Sequence, residues 1–186
     1  WTSFLARNVM DGNRLATKPR SFQTAMRKGE IGELIAKRLY ESMGWIVYRP
    51  ETDGAHTFDM LCVRNKQEAI VVEVKAKARL NRWPATGISE RHYQDYIKFS
   101  RRHSMPIFIL FVDEGEKRAY GNFIHLLDMP RVVGGLTYPR LMNDWRPPTR
   151  LWPLAAMQHV ADLDDAQCAE LMAMSQRSHA YEFIAR

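Results

Sequence analysis

The chain lacks the features that mark several common classes of protein. It has only two cysteines, Cys62 and Cys168, among 186 residues, and they show neither zinc-site spacing nor a disulfide framework. No apolar run approaches the ~18–20 residues that cross a bilayer. A P-loop, a glycine-rich dinucleotide turn, a nucleophile triad and internal repeats are also missing. These absences favour a cytoplasmic protein in a reducing compartment, with no membrane partner, and they exclude the functions that depend on those motifs.

Positive charge is in excess. The chain has 27 Lys and Arg against 21 Asp and Glu, a formal net charge of +6. This balance fits a polyanionic partner, of which nucleic acid is the obvious one. The alternative is a soluble protein that is mildly basic and has no such partner. Apolar residues make up 46% of the chain, enough to fill the core of one domain.

Hydrophobic periodicity predicts seven elements over the first two thirds of the chain. In order they are a helix over 25–43, a strand over 45–48, strands over 57–63 and 70–77, a helix over 89–103, and strands over 107–112 and 118–123. Ser89 is the expected N-cap of the second helix. Further on, Asp164 and Gln167 have the spacing of a capping box for a final helix.

Acidic residues occupy two of the apolar strands. Asp59 lies in the strand over 57–63, and Glu73 and Lys75 lie in the next one. Because strand side chains alternate between faces, Glu73 and Lys75 project together, and a hairpin would bring Asp59 near them. An unpaired buried carboxylate is costly, so a cation or a salt bridge must compensate for it. Two converging carboxylates and one lysine predict a site for a divalent cation and an activated water.

This arrangement resembles the motif of the PD-(D/E)XK nuclease superfamily, which includes restriction endonucleases and Holliday-junction resolvases. The matching residues are Asp59, Glu73 and Lys75, with Phe58 where the name-giving motif has proline. The resemblance implies that Asp59, Glu73 and the Val74 carbonyl bind Mg²⁺, for which Mn²⁺ would substitute. Lys75 would then assist the attacking water.

Two further residues are site candidates through the resemblance. Glu30, on the first helix, would add an acidic ligand, and Gln94, on the second helix, would join the catalytic set. The alternative for Glu30 is an exposed helix residue, since acids are common near helix starts. Tyr93 and Tyr96 flank Gln94, and for them packing on the sheet is the expected role.

The resemblance also implies a fold. It is an α/β, restriction-endonuclease-like core with a mixed central sheet of about four to five strands in the order α-β-β-β-α-β, flanked by helices. The predicted organisation is a basic N-terminal arm over 1–24, the nuclease core over 25–123, and an irregular and helical C-terminal extension over 124–186 packed on the core.

The function predicted from these observations is metal-dependent hydrolysis of phosphodiester bonds in duplex or branched DNA, with a homodimer expected for cutting two strands. Basic residues near the site and in the arm are the expected contacts to the DNA backbone. They are Lys77, Arg79, Arg82, Arg20 and Lys28. One alternative is a non-catalytic nucleic-acid-binding protein on the same fold, and another is a structural or partner-binding protein whose charge is incidental.

Overall fold

The computed structural model describes residues 20–50, 58–81 and 83–182. The helices are α1 (Arg20–Ser42), α2 (Glu90–His103), α3 (Ile124–Leu127) and α4 (Asp165–Glu182), with a 3₁₀ turn at Leu154–Ala156. The first six strands are β1 (Ile46–Tyr48), β2 (Met60–Arg64), β3 (Glu68–Ala76), β4 (Ala85–Ser89), β5 (Ile107–Asp113) and β6 (Arg118–Phe123). The others are β7 (Arg131–Val133), β8 (Leu136–Tyr138), β9 (Arg140–Met142), β10 (Thr149–Pro153) and β11 (Gln158–Asp162).

A six-stranded mixed sheet forms the centre of the fold, in the order β1-β2-β3-β5-β6-β11. Its strand pairs are antiparallel except for β3 and β5, which run parallel. A parallel pair needs a crossover, and α2 provides it. The elements α1-β1-β2-β3-α2-β5 follow the predicted α-β-β-β-α-β order, so the predicted fold class is confirmed. The sheet is larger than the four to five strands expected because β11 pairs with β6.

Apolar clusters cover both faces of this sheet. Val72 and Leu110 pack on one face with residues of α1 and α4. Val71 and Ile109 pack on the other face with residues of α2 and with Trp152 of β10. Every residue of β5 is buried, as the continuous apolar run predicts for a strand covered on both sides. The core therefore fixes β3, which carries Glu73 and Lys75, and its parallel partner β5 from two directions.

The first helix is longer at its start than predicted and lies close against β3. It begins at Arg20 rather than at residue 25, and it ends at Ser42, just before Gly44 with a φ of +81°. A Cβ added at Gly32 would lie 2.6 Å from the Cβ of Ala76. Glycine at this position therefore permits the close approach of α1 to the end of β3.

The C-terminal part contains more strand than the sequence predicts. The stretch expected to be irregular and helical includes the hairpin β7-β8, and its β9 and β10 join β4 in a three-stranded sheet. All four of these strands, β7 to β10, have three to five residues, which is too short for a reliable alternation of apolar side chains. The final helix is as predicted: Asp164 and Gln167 exchange capping hydrogen bonds of 2.7 and 3.0 Å.

Both cysteines are buried free thiols in the apolar cluster beneath α1 and α4. Cys62 comes from β2 and Cys168 from α4. Of the helices that the structure describes, none is both long and apolar enough to cross a membrane.

Candidate active site

Of the three motif residues, Asp59 lies just before the start of β2, and Glu73 and Lys75 lie in the second half of β3. The pairing of Met60 with Val72 puts Asp59, just before β2, beside the second half of β3. Glu73 and Lys75 project toward α2, while Val72 and Val74 project into the cluster under α1. The alternation predicted from the sequence is therefore confirmed.

The Asp59 carboxylate is fixed by the backbone of β3. Its Oδ2 accepts a hydrogen bond of 2.7 Å from the N–H of Val74. The ladder between β2 and β3 has ended at this point, so the carboxylate takes the place of a strand partner. Since the N–H and C=O of one strand residue point to the same side, the Val74 carbonyl is directed toward the Asp59 side of β3.

Glu73 is the most buried acid of the site, with only 3% of its surface exposed. Its Oε1 accepts hydrogen bonds from Lys75 Nζ and from the hydroxyl of Tyr96. The pKa of Glu73 is raised to about 7, chiefly by burial; Lys75 and Tyr96 oppose this rise, and the Asp59 charge adds to it. Glu73 thus lacks enough positive charge around it to ionise at its usual pH.

An open cleft of about 880 Å³ lies in front of these residues. Its walls come from the β2–β3 end, from one residue of α1 and from one side of α2. The lining residues are Met26, Asp59, Glu73, Lys75, His92, Asp95, Tyr96, Lys98, Phe99, Arg102 and His103. Lys75 retains a quarter of its side-chain exposure there, so its ammonium can reach both Glu73 and a molecule in the cleft.

Asp59 and Glu73, from here on the acidic pair, fit a hard divalent cation. Asp59 Oδ1 and Glu73 Oε2 accept no hydrogen bond from the residues that the structure describes. The raised pKa of Glu73 indicates that added positive charge would stabilise the pair. With the Val74 carbonyl they provide oxygen ligands, which Mg²⁺ prefers. No group of three or more His, Cys, Asp or Glu side chains with metal-site geometry occurs within the described ranges.

Two predicted site residues do not reach the cleft. Glu30 is exposed on α1 and is absent from the cleft lining, so α1 approaches the site through Met26 instead. Gln94 donates a 2.7 Å hydrogen bond to Glu90 on the exposed side of α2. Residues two apart on a helix do not share a side, and Tyr96 points to Glu73, so Gln94 points away from it.

The predicted DNA-binding residues are mostly engaged within the protein. Lys28 forms a 2.5 Å ion pair with Glu114, and both side chains are largely buried. Arg79 forms a 2.5 Å ion pair with Glu116. Arg82 and the side chain of Arg20 lie outside the described residues.

Lys77 is the fifth of these residues, and its Nζ donates to the carbonyl of Gly87 at 2.5 Å. Burial, with a smaller effect of Lys75, lowers the pKa of Lys77 to about 8. A half-buried ammonium bonded to backbone is poorly placed to bind a phosphate.

Tyr96 is a site residue that the sequence reasoning assigned only to packing. It is 6% exposed and belongs to the apolar cluster, as expected, but its hydroxyl donates to Glu73. His92, one turn earlier, also faces the cleft, and burial followed by the Lys75 charge lowers its pKa. The four-residue spacing of His92 and Tyr96 puts them on the same side of α2, but it does not show that this side faces β3.

Comparisons with known proteins gave matches among solved structures alone. No family model matches the chain, and no curated protein matches it. The Holliday junction resolvase Hjc of Archaeoglobus fulgidus matches with a TM-score of 0.49 and 12% identity, covering 72% of this chain and 93% of that one. A nuclease from a fusselovirus matches with a TM-score of 0.43 and 9% identity, covering 84% of this chain and 96% of that one.

Proposed function

We propose that this protein is a metal-dependent nuclease that hydrolyses phosphodiester bonds in DNA. The observation that carries the proposal is the meeting of Asp59, Glu73 and Lys75 in one open cleft. The acidic pair is coupled electrostatically and Lys75 bonds to one member of it. A site built only for structure has no need to keep two acids and a lysine beside a large cleft.

The acidic pair and the Val74 carbonyl would hold Mg²⁺, with Mn²⁺ able to substitute. When bound, the ion supplies an activated water and offsets charge on the phosphate. Asp59 is oriented for this role by the Val74 N–H, and Glu73 is oriented by Tyr96. The Lys75 ammonium, which donates to Glu73, would orient the attacking water and donate to a phosphate oxygen.

The expected product carries a 5′-phosphate, as the motif resemblance implies. Duplex and branched DNA are both candidate substrates. Cutting both strands of a duplex needs two sites, and two copies of the chain would supply them.

A second candidate function is a nucleic-acid-binding protein that does not cleave. It is favoured by the absence of a third acidic ligand near the acidic pair within the described residues. Glu30 does not fill that place, since it is exposed and outside the cleft. The Val74 carbonyl and waters would have to complete the ligand set if the protein is a nuclease.

The experiment that separates the two candidates is a cleavage assay on supercoiled plasmid, linear duplex, single strands and a four-way junction, each with Mg²⁺, Mn²⁺ or EDTA. Glu73→Gln and Lys75→Met are the test variants, and Asp95→Asn, which removes an acid of the same cleft, is the matched control. A nuclease requires metal-dependent cleavage that both test variants lose and the control keeps. DNA binding without cleavage under every condition would favour the binding protein.

A further inference from the structure

The second half of α2 presents unneutralised positive charge to the cleft. The cations Lys98, Arg101 and Arg102 are exposed on this segment, as is His103. Lys98, Arg102 and His103 line the same cleft as the acidic pair, whereas Arg101 does not. The cationic side of the cleft is therefore formed by one continuous helical segment.

Lys98 and Arg102 have no carboxylate partner among the described residues, unlike several other cations of the chain. Lys28, Arg79 and Arg150 are each paired with a glutamate. A cation that is already paired gives little additional attraction for an anion, because binding must first break the internal pair. Lys98 and Arg102 are free of this cost.

The spacing of these two residues suits a chain of phosphates. Positions four apart on a helix share a side and lie about 6 Å apart along its axis. The ring of His103 packs against that of Phe99 at a tilt of 40°, with centroids 4.6 Å apart, at the C-terminal end of this side of the helix. Asp95 lies one turn before Lys98 on the cleft, so the positive charge is confined to the second half of α2.

We propose that Lys98 and Arg102 bind the phosphate backbone of DNA and guide it along α2 to the acidic pair. This inference rests on the proposed nuclease function and names its substrate-binding surface. It replaces the sequence expectation that Lys28, Lys77 and Arg79 provide these contacts. A DNA backbone is favoured over an acidic peptide because the positive segment leads directly to a site equipped to act on a phosphodiester.

The test is DNA binding measured by fluorescence anisotropy with a labelled duplex in EDTA, over a series of salt concentrations. Arg102→Gln is compared with Arg101→Gln, which removes the same charge from the neighbouring position outside the cleft. We expect Arg102→Gln to weaken binding about fivefold to tenfold and to lower the salt slope by about 1, as for one lost phosphate contact. Arg101→Gln should change affinity less than about twofold.

The double variant Lys98→Gln, Arg102→Gln should lose still more affinity, while its melting temperature stays close to that of the wild type because both residues are exposed. Equal effects of Arg102→Gln and Arg101→Gln would overturn the inference. If the wild type then still cleaves DNA with Mg²⁺, the nuclease function stands and only the binding surface is wrong. A wild type with no affinity for DNA overturns both.

Discussion

Glu73 is an acid held almost out of water, with both of its hydrogen-bond donors on one oxygen. Burial makes its ionised form expensive, and Lys75 and Tyr96 offset only part of that cost. Such a group is a poor contributor to stability but a strong ligand for a cation that replaces its proton. The properties of this one residue link the folding of the protein to its proposed chemistry.

The first prediction concerns pH and stability without divalent metal. Because folding raises the pKa of Glu73 from 4.5 to about 7, the folded state holds this proton more tightly than the unfolded chain does. The contribution of Glu73 to the free energy of unfolding therefore becomes less favourable as pH rises from about 4.5 to about 7, by up to about 3 kcal/mol.

Urea denaturation in EDTA across this pH range measures the effect. Other groups also titrate, so the informative quantity is the difference in unfolding free energy between the wild type and Glu73→Gln. As pH rises, the wild type should lose stability relative to Glu73→Gln. Parallel curves for the two proteins would contradict the raised pKa.

The second prediction concerns Tyr96. Tyr96→Phe removes the hydroxyl that donates to Glu73, so it should slow cleavage about tenfold and move the pH–rate profile to higher pH. Tyr93→Phe is the matched control, because its hydroxyl donates at 2.5 Å to Asp128 outside the acidic pair. Both variants should lose about 1–2 kcal/mol of stability. An unchanged pH–rate profile in Tyr96→Phe would mean that this hydroxyl has a structural role only.

Sequence alone could locate Asp59, Glu73 and Lys75, because charged residues in apolar strands are conspicuous and strand alternation is simple. It could not locate Tyr96 or exclude Gln94, since their roles depend on the rotation of α2 about its axis. It also could not show that Lys28 and Arg79 are paired, because their glutamate partners are distant along the chain.

At the scale of elements, α1 packs closely against β3 on the face of the sheet opposite to the candidate site. Gly32→Ala would place a Cβ 2.6 Å from the Cβ of Ala76, next to Lys75 in the chain. We expect a loss of about 1–3 kcal/mol, as for overpacking of a tight core contact.

Gly29→Ala provides the control on the same helix. Nothing lies within 4 Å of a Cβ added there, so the variant should gain up to about 1 kcal/mol through helix propensity. Thermal melts of both variants test this prediction, and a stabilised Gly32→Ala would show that α1 packs differently.

The elements of the α-β-β-β-α-β core were predictable from sequence, whereas β4 and the short strands after β6 were not. α2 begins after Ser89 and ends at His103 as its pattern indicates, and β6 spans the predicted Arg118–Phe123. The small sheet of β4, β10 and β9 joins segments far apart in sequence, and its short strands carry no distinctive period. The same holds for β11, whose pairing with β6 enlarges the central sheet.

At the scale of the whole molecule, the central sheet and α2 enclose a cleft that is acidic at its base and basic along α2. A cation that binds only the folded state raises the free energy of unfolding, by roughly 2.7 kcal/mol at a concentration of 100 times its Kd. We therefore predict that Mg²⁺ raises the melting temperature of the wild type at pH 8 and that EDTA reverses the rise.

Three variants test whether the rise in melting temperature comes from Mg²⁺ bound at the acidic pair. Asp59→Asn and Glu73→Gln should lose it because each removes one member of the acidic pair, whereas Asp95→Asn should keep it. An equal Mg²⁺ shift in all four proteins would mean that the cation binds elsewhere.

The most direct test of the central claim is the rate at which excess wild-type protein cuts a labelled DNA in Mg²⁺, measured beside Glu73→Gln prepared in the same way. The proposed site predicts cleavage in Mg²⁺, none in EDTA, and a loss of at least about 100-fold in Glu73→Gln. Equal cleavage by the two proteins, or no cleavage of any DNA by the wild type, would contradict it.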